Sequence, residues 1–142
     1  MIIRFATIND TLHIIRAIQN KKMDYNTTND IKNDIKNGNL IIAIDNEKIL
    51  ASMAIVYKPH RRYFALMRMC VYNKMSKGKG IASALVDYAL SLNLGNYGGT
   101  PWDDNPAMIH ILEKRGFKYQ YTFQEHYKFY LKNAWQVKQS ML

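Results

Sequence analysis

The sequence predicts an α/β fold: one sheet of mixed strand direction, covered by helices on both faces. Apolar positions switch along the chain between strand-like runs and helical spacing, in the order β-α-α-β-β-β-α-β-α-β-β. Helical segments stand between some of the strands, which a sheet covered on both faces accommodates. The chain has 142 residues, 48% of them hydrophobic and 22% charged, enough for a real core. No repeat, low-complexity run or Pro/Gly/Ser linker divides it. A single domain over residues 1–142 is therefore expected, with 133–142 as a tail, either a fraying helix or disordered.

Each element has its own local signal. "IIRFA" (2–6) reads as a short strand. Thr7 and Asp10 have capping-box spacing, and Ile8, Leu12, Ile15 and Ile18 then recur as on a helix over about 8–21. "TTND" (27–30) is read as the start of a second helix through Ile31 and Ile35, with Gly38 as its stop. "NLIIAI" (39–44) and "KILASMAIVY" (48–57) flank "DNE", a hairpin signal, and Pro59 ends the second run. "YFALMRMCV" (63–71) suits a central strand. Ile81, Ala84, Leu85, Tyr88 and Leu92 mark one helix face. "YGGT" (97–100) is a short strand whose glycines suggest another backbone close by. Asn105 and Pro106 suit the N-cap and first position of a helix that ends at Gly116. "FKYQYTF" and "HYKFYLKN" alternate as two strands joined at Gln124-Glu125.

Charge and composition bound the function. The formal net charge of +9 favours an anionic partner: nucleic acid, a membrane surface or a phosphorylated small molecule. A solvated basic surface with no dedicated partner is the plainer reading. No apolar stretch approaches the roughly 20 residues that span a bilayer. "MIIRFATIND" lacks the order of a signal peptide, and Cys70 is the single cysteine, so a cytoplasmic protein is expected. The four histidines show no metal-ligand spacing, and no metal is expected.

The stretch "SKGKGIASAL" (76–85) carries the strongest chemical signal. A strand, a glycine loop and a helix start together make an anion site. The first amides of a helix lack partners within it and carry partial positive charge. Glycines let successive N–H groups turn towards one phosphate. Lys77 and Lys79 add charge there. The alternative is an ordinary strand-to-helix turn with two exposed lysines. The spacing fits neither a Walker A loop nor a dinucleotide fingerprint, whose third glycine position is Ser83.

"KGKGIA" (77–82) resembles the Gln/Arg-x-x-Gly-x-Gly/Ala signature of GCN5-related N-acetyltransferases (GNAT), with Lys77 in the first position and Gly80 and Ala82 in the others. "NPAMIHILEKRGFKY" (105–119) is similar to that family's second motif. "FATINDTLHI" is similar to its opening strand and helix, and "HYKFYLK" to its last strand, so the resemblance covers nearly the whole chain in order. It implies a mostly antiparallel central sheet of six to seven strands with about four helices. It also implies acetyl-coenzyme A as co-substrate and an amine as acceptor. Lys77, Gly78, Lys79, Gly80, Ile81, Ala82 and Ser83 would hold the pyrophosphate. Met69, Cys70 and Val71 would line the pantetheine arm, with a backbone N–H of Cys70 or Val71 on the thioester carbonyl. Asn105 would contact pantetheine or phosphate, or serve only as an N-cap.

The acid and base are less legible. Many members of that family carry a Tyr four residues before the Gly-Phe pair, where this chain has Leu112. Many place a Glu on the strand before the glycine loop, where this chain has Arg68 nearby. Asp103, Asp104 and Tyr121 are the catalytic candidates. Glu125, His126, Tyr119, Tyr127 and Tyr130 are further ones. The expected activity is direct acetyl transfer to a primary amine; the alternative is a non-catalytic or weakly catalytic acetyl-coenzyme A-binding module, for which acting on or binding RNA is one option. "QNKKMDYNTTND", "YKPHRRYF" and "YTFQEH" should meet the acceptor, but their mixed chemistry selects none. Monomer and homodimer stay open, with Trp135 a candidate packing residue.

Overall fold

A computed structural model describes residues 1–21, 25–72, 78, 80–101 and 103–133. The strands are β1 (Ile2–Phe5), β2 (Leu40–Asp45), β3 (Lys48–Lys58), β4 (Tyr63–Val71), β5 (Tyr97–Gly99), β6 (Lys118–Phe123) and β7 (Tyr127–Lys132). The helices are α1 (Thr11–Lys21), α2 (Tyr25–Lys36), α3 (Ile81–Ser91) and α4 (Pro106–Lys114). The seven strands form one sheet in the order β1-β2-β3-β4-β5-β7-β6. β4 and β5 run parallel, whereas the β1–β2, β2–β3, β5–β7 and β6–β7 ladders are antiparallel. The mixed sheet is what the residue pattern led one to expect, and the mostly antiparallel ladders and four helices are what the resemblance implied.

The chain forms two compact units, Met1–Ile55 with Arg68–Ala89, and Val56–Met67 with Leu90–Leu142. In the first, α1 and α2 bury Ile14, Ile18, Ile31 and Ile35. Leu40, Ile41, Ile42 and Ala43 on β2 are fully buried, so this strand is apolar without alternation. The β2–β3 hairpin turns through Asn46 and Glu47, both left-handed at φ 48° and 64°. Such a turn matches the twist of its strands.

The start of this unit shows how local chemistry sets an element. Asp10 accepts the Thr7 backbone N–H at 2.7 Å and both Arg4 guanidinium nitrogens at 2.8 Å. The acid closes the first turn, which is a 3₁₀ turn (Ile8–Asp10) before α1 proper. Helix α2 begins at Tyr25, ahead of the expected "TTND" start. Asn and Thr disfavour helix by only about 0.5 kcal/mol each, so the packed face of Ile31 and Ile35 decides its extent.

Arg68 is the exception to regular strand geometry. It sits within β4 at φ 52°, a left-handed conformation in a non-glycine residue. That costs roughly 1–2 kcal/mol. A two-point ion pair holds it: Nε and Nη2 donate to the Asp34 carboxylate on α2, each at 2.7 Å. Asp34 is buried, and its side chain keeps 6% of its exposure against 22% for Arg68.

In the second unit, Tyr63, Ala65 and Phe129 form a cluster bordered by Met67, Phe123 and Leu131. The β6–β7 hairpin turns at Gln124 and Glu125, at φ 49° and 65°, as the sequence predicts. Gly116 follows α4 at φ 86°, and Lys132 Nζ donates to the Arg115 carbonyl at 2.5 Å, closing the helix end. Burial pushes this ammonium below its ordinary pKa.

The two ion pairs of the first unit should differ in weight. Asp34→Ala strands a half-buried guanidinium and removes the anchor of a left-handed residue, so a loss of about 3 kcal/mol is expected in urea unfolding. Asp10→Ala should lose about 1 kcal/mol, because Arg4 is 42% exposed and screened. The Arg4 hydrogen bond holds the Asp10 pKa well below the usual carboxylate value. A depressed pKa stabilises the fold above the unfolded value near 3.9, and that share is lost as pH falls below it. Unfolding at pH 7 and pH 3 should therefore show a smaller acid loss in Asp10→Asn than in the unsubstituted protein.

Candidate active site

The glycine loop has the backbone its sequence implies. Gly78 and Gly80 are left-handed at φ 79° and 77°, and among the described residues nothing lies within 4 Å of where a Cβ would stand on either. The Gly80 carbonyl accepts from Ala84 N–H at 2.9 Å, making Gly80 the cap of α3. Ile81, Ala82 and Ser83 are the first three helical residues, whose N–H groups have no carbonyl within the helix. The first turn of α3 has no acidic residue. An open, positive cradle of glycines and helix amides fits a phosphate. Lys77 and Lys79 lie outside the described residues.

Met69, Cys70 and Val71 form the end of β4, just past the Arg68–Asp34 pair. Cys70 is buried and forms no disulfide. Tyr72 N–H donates to Leu50 O on β3 at 2.8 Å, so alternation turns the Val71 N–H to the opposite edge. The Tyr72 hydroxyl shares a 2.6 Å hydrogen bond with the fully buried Ser52, and burial raises its pKa. Asp34 was missed in the sequence, where nothing sets it apart from other helix acids.

In the second unit the parallel β4–β5 ladder runs from Phe64↔Tyr97 to Leu66↔Gly99. At its end lies a cavity of about 130 Å³, lined by Lys58, Tyr63, Ala65, Leu66, Met67, Gly98, Gly99 and Thr100. The glycines make room for side chains rather than for backbone, which corrects the expectation. A Cβ on Gly98 would lie 2.6 Å from the Tyr63 ring, and one on Gly99 would lie 2.9 Å from Leu112. Leu112 is fully buried. Burial raises the Tyr63 phenol above its ordinary pKa, opposed by the charge of Arg61. Tyr63, unnoticed in the sequence, is the cavity's phenol.

The remaining candidates are scattered over this second unit. Asn105 caps α4, its Oδ1 accepting Met108 N–H at 3.2 Å. Asp103 and Asp104 are exposed; the Asp103 carboxylate is 3.7 Å from His126 Nδ1, and its N–H donates to the His126 carbonyl. Tyr121 on β6 stacks on Phe129 at 5.4 Å. Tyr130 is buried beside Glu113, its hydroxyl 3.3 Å from Oε1, and burial raises its pKa. Among the described residues no His, Cys, Asp and Glu grouping could hold a metal, and no helix is long and apolar enough to cross a membrane.

No family model matches the chain, and no curated protein matches it in sequence. Solved structures do match. A GNAT-family acetyltransferase from Bacillus cereus ATCC 10987 aligns with TM-score 0.77 at 18% identity, over 93% of this chain and 96% of that one. The chain has the GCN5-related N-acetyltransferase fold. A GNAT-family acetyltransferase from Streptococcus agalactiae 2603 aligns at TM-score 0.76 and 20% identity, over 93% and 94%. Arabidopsis thaliana NAA60, solved with a bisubstrate analogue, aligns at TM-score 0.67 and 12% identity, over 93% and 97%. The GNAT fold here keeps its glycine loop while Leu112 stands buried where a phenol was sought. Gly98→Ala should cost about 1–3 kcal/mol in thermal or urea unfolding, because the Tyr63 ring must move. An unchanged stability would show that the ring is not held over Gly98.

Proposed function

We propose that the protein is an N-acetyltransferase that moves the acetyl group of acetyl-coenzyme A directly to a primary amine. The observation that carries this reading is the glycine cradle, Gly78 and Gly80 left-handed and open before α3, on a GNAT fold. The N–H groups of Ile81, Ala82 and Ser83, with Lys77 and Lys79, would bind the pyrophosphate. Met69, Cys70 and Val71 would lie along the pantetheine arm. When bound, acetyl-coenzyme A supplies the acetyl group as a thioester.

The chain itself provides the rest. By the family resemblance, a backbone N–H of Cys70 or Val71 would polarise the carbonyl; one such donor is worth about 3 kcal/mol of barrier. The acceptor would enter the cavity beside Tyr63–Met67, further back on the same strand. Tyr63 supplies the phenol that Leu112 does not. Burial raises its pKa above the ordinary phenol value, so Oη stays protonated near neutral pH and is the acid candidate. Asp103 and His126 are the base candidates, acting through water.

Calorimetric titration with acetyl-coenzyme A tests the cradle, with coenzyme A and ATP as controls. Micromolar binding is expected, and Gly80→Glu should abolish it, since a negative side chain would occupy the phosphate space. Unchanged affinity in that variant would overturn the site. Tyr63→Phe should lower kcat by about 10²-fold with acetyl-coenzyme A affinity retained. Full activity of that variant would remove Tyr63 from the proton transfer.

A further inference from the structure

The connection between β3 and β4 carries Lys58, His60, Arg61 and Arg62. It is a tight turn: Arg62 N–H donates to the Lys58 carbonyl at 2.8 Å, and Arg62 is left-handed at φ 56°. The turn lays the Arg61 guanidinium over two rings, 5.4 Å from the Tyr121 centroid and 5.7 Å from that of Phe129. Those rings stack on each other, 5.4 Å apart at 21°. Arg61 Nη1 also donates to the Tyr121 hydroxyl. Tyr63 meets Phe129 edge-on at 5.4 Å and forms a wall of the cavity, and Lys58 lines the same cavity.

An exposed arginine usually loses rotamer freedom when it binds something. Here the aromatic pair and the Tyr121 hydroxyl have already fixed the guanidinium, so little further entropy is lost. Most of its five N–H donors remain for a ligand. Among the described residues, no carboxylate pairs with Arg61 or with Lys58. The charge of Arg61 is felt at the Tyr63 phenol, which places it within electrostatic reach of the cavity wall. A fixed planar cation and a flexible point cation, both uncompensated, flank a small cavity floored by Gly98 and Gly99.

We propose that the acceptor is a small primary amine bearing its own carboxylate or phosphate, and that Arg61, assisted by Lys58, binds that anion. The same two cations reject polyamines. This inference rests on the acetyl-transfer reading above. In the reaction the amine nitrogen bonds to the acetyl carbon and the carbon–sulfur bond breaks. The ammonium gives up two protons, one ending on sulfur and one in solvent.

The test is thiol release by the full chain with acetyl-coenzyme A and four acceptors: 4-aminobutyrate, phosphoethanolamine, propylamine and spermidine. One or both anionic amines should show a KM at least about tenfold below that of propylamine, with spermidine the poorest acceptor. The 4-aminobutyrate and phosphoethanolamine arms tell carboxylate from phosphate. Arg61→Ala should raise KM for the anionic amine about tenfold or more and leave propylamine unchanged; Arg61→Lys should recover part of the loss. Lys58→Ala should act in the same direction but less. Acetyl-coenzyme A affinity, measured by calorimetry, should be the same in all variants, which separates a failed acceptor site from a failed cofactor cradle. Preference for spermidine, or an Arg61→Ala enzyme with unchanged selectivity, would overturn the inference. Binding of acetyl-coenzyme A without transfer to any of the four would overturn the transfer reading and this inference together.

Discussion

The ion pair between Asp34 and Arg68 is the constraint on which the cofactor end of β4 depends. A left-handed arginine inside a strand is unfavourable, and the strand would otherwise continue in regular pleat. Two charge-assisted hydrogen bonds of 2.7 Å, made largely out of water, offset that strain. Their planar geometry fixes the direction of Arg68 as well as its charge. The residues proposed to meet the donor, Met69 to Val71, follow immediately, so their orientation inherits this irregularity. A lysine at position 68 would keep the charge but lose the fork that sets the backbone.

The ion pairs also separate structural cations from the rest. Arg4 and Arg68 are neutralised by Asp10 and Asp34 and serve the structure. These pairs leave the net charge of +9 unchanged, so the excess comes from other lysines and arginines. What matters for recognition is which cations lack a partner. Among the described residues Lys58 and Arg61 have no carboxylate partner, which only the folded chain reveals.

Much of the fold was legible because its signals are local. Asn46-Glu47 and Gln124-Glu125 take left-handed angles between strands, Asn105-Pro106 opens a helix, and Gly78 and Gly80 adopt the conformation that favours glycine. Each depends on a few neighbouring residues. Asp34 and Arg68 are far apart in sequence, and neither has a motif, so their pairing exists only in the fold. The Arg61 stack has the same character: "YKPHRRYF" gives the charges, but Tyr121 and Phe129 come from another hairpin. The start of α2 was misplaced for a related reason, since Ile31 and Ile35 are held by packing that "TTND" does not reveal.

Leu112 and Tyr63 each pack against one of the two glycines of β5. Side chains on adjacent strand residues point to opposite faces, and here both faces are filled from outside the strand. Tyr63 lies against Gly98 and Leu112 against Gly99, each in the space a Cβ would take. A tyrosine at 112 in the Leu112 position would have to bury its hydroxyl or push the ring off Gly99. A buried hydroxyl without a partner is unfavourable by about 1–3 kcal/mol. The phenol is instead on the other face, where Tyr63 borders a cavity. Gly98 thus admits the Tyr63 ring and Gly99 the Leu112 side chain, so both placements depend on the absence of a Cβ. A side chain at Gly98 meets the Tyr63 ring and one at Gly99 meets Leu112, and both glycines line the cavity.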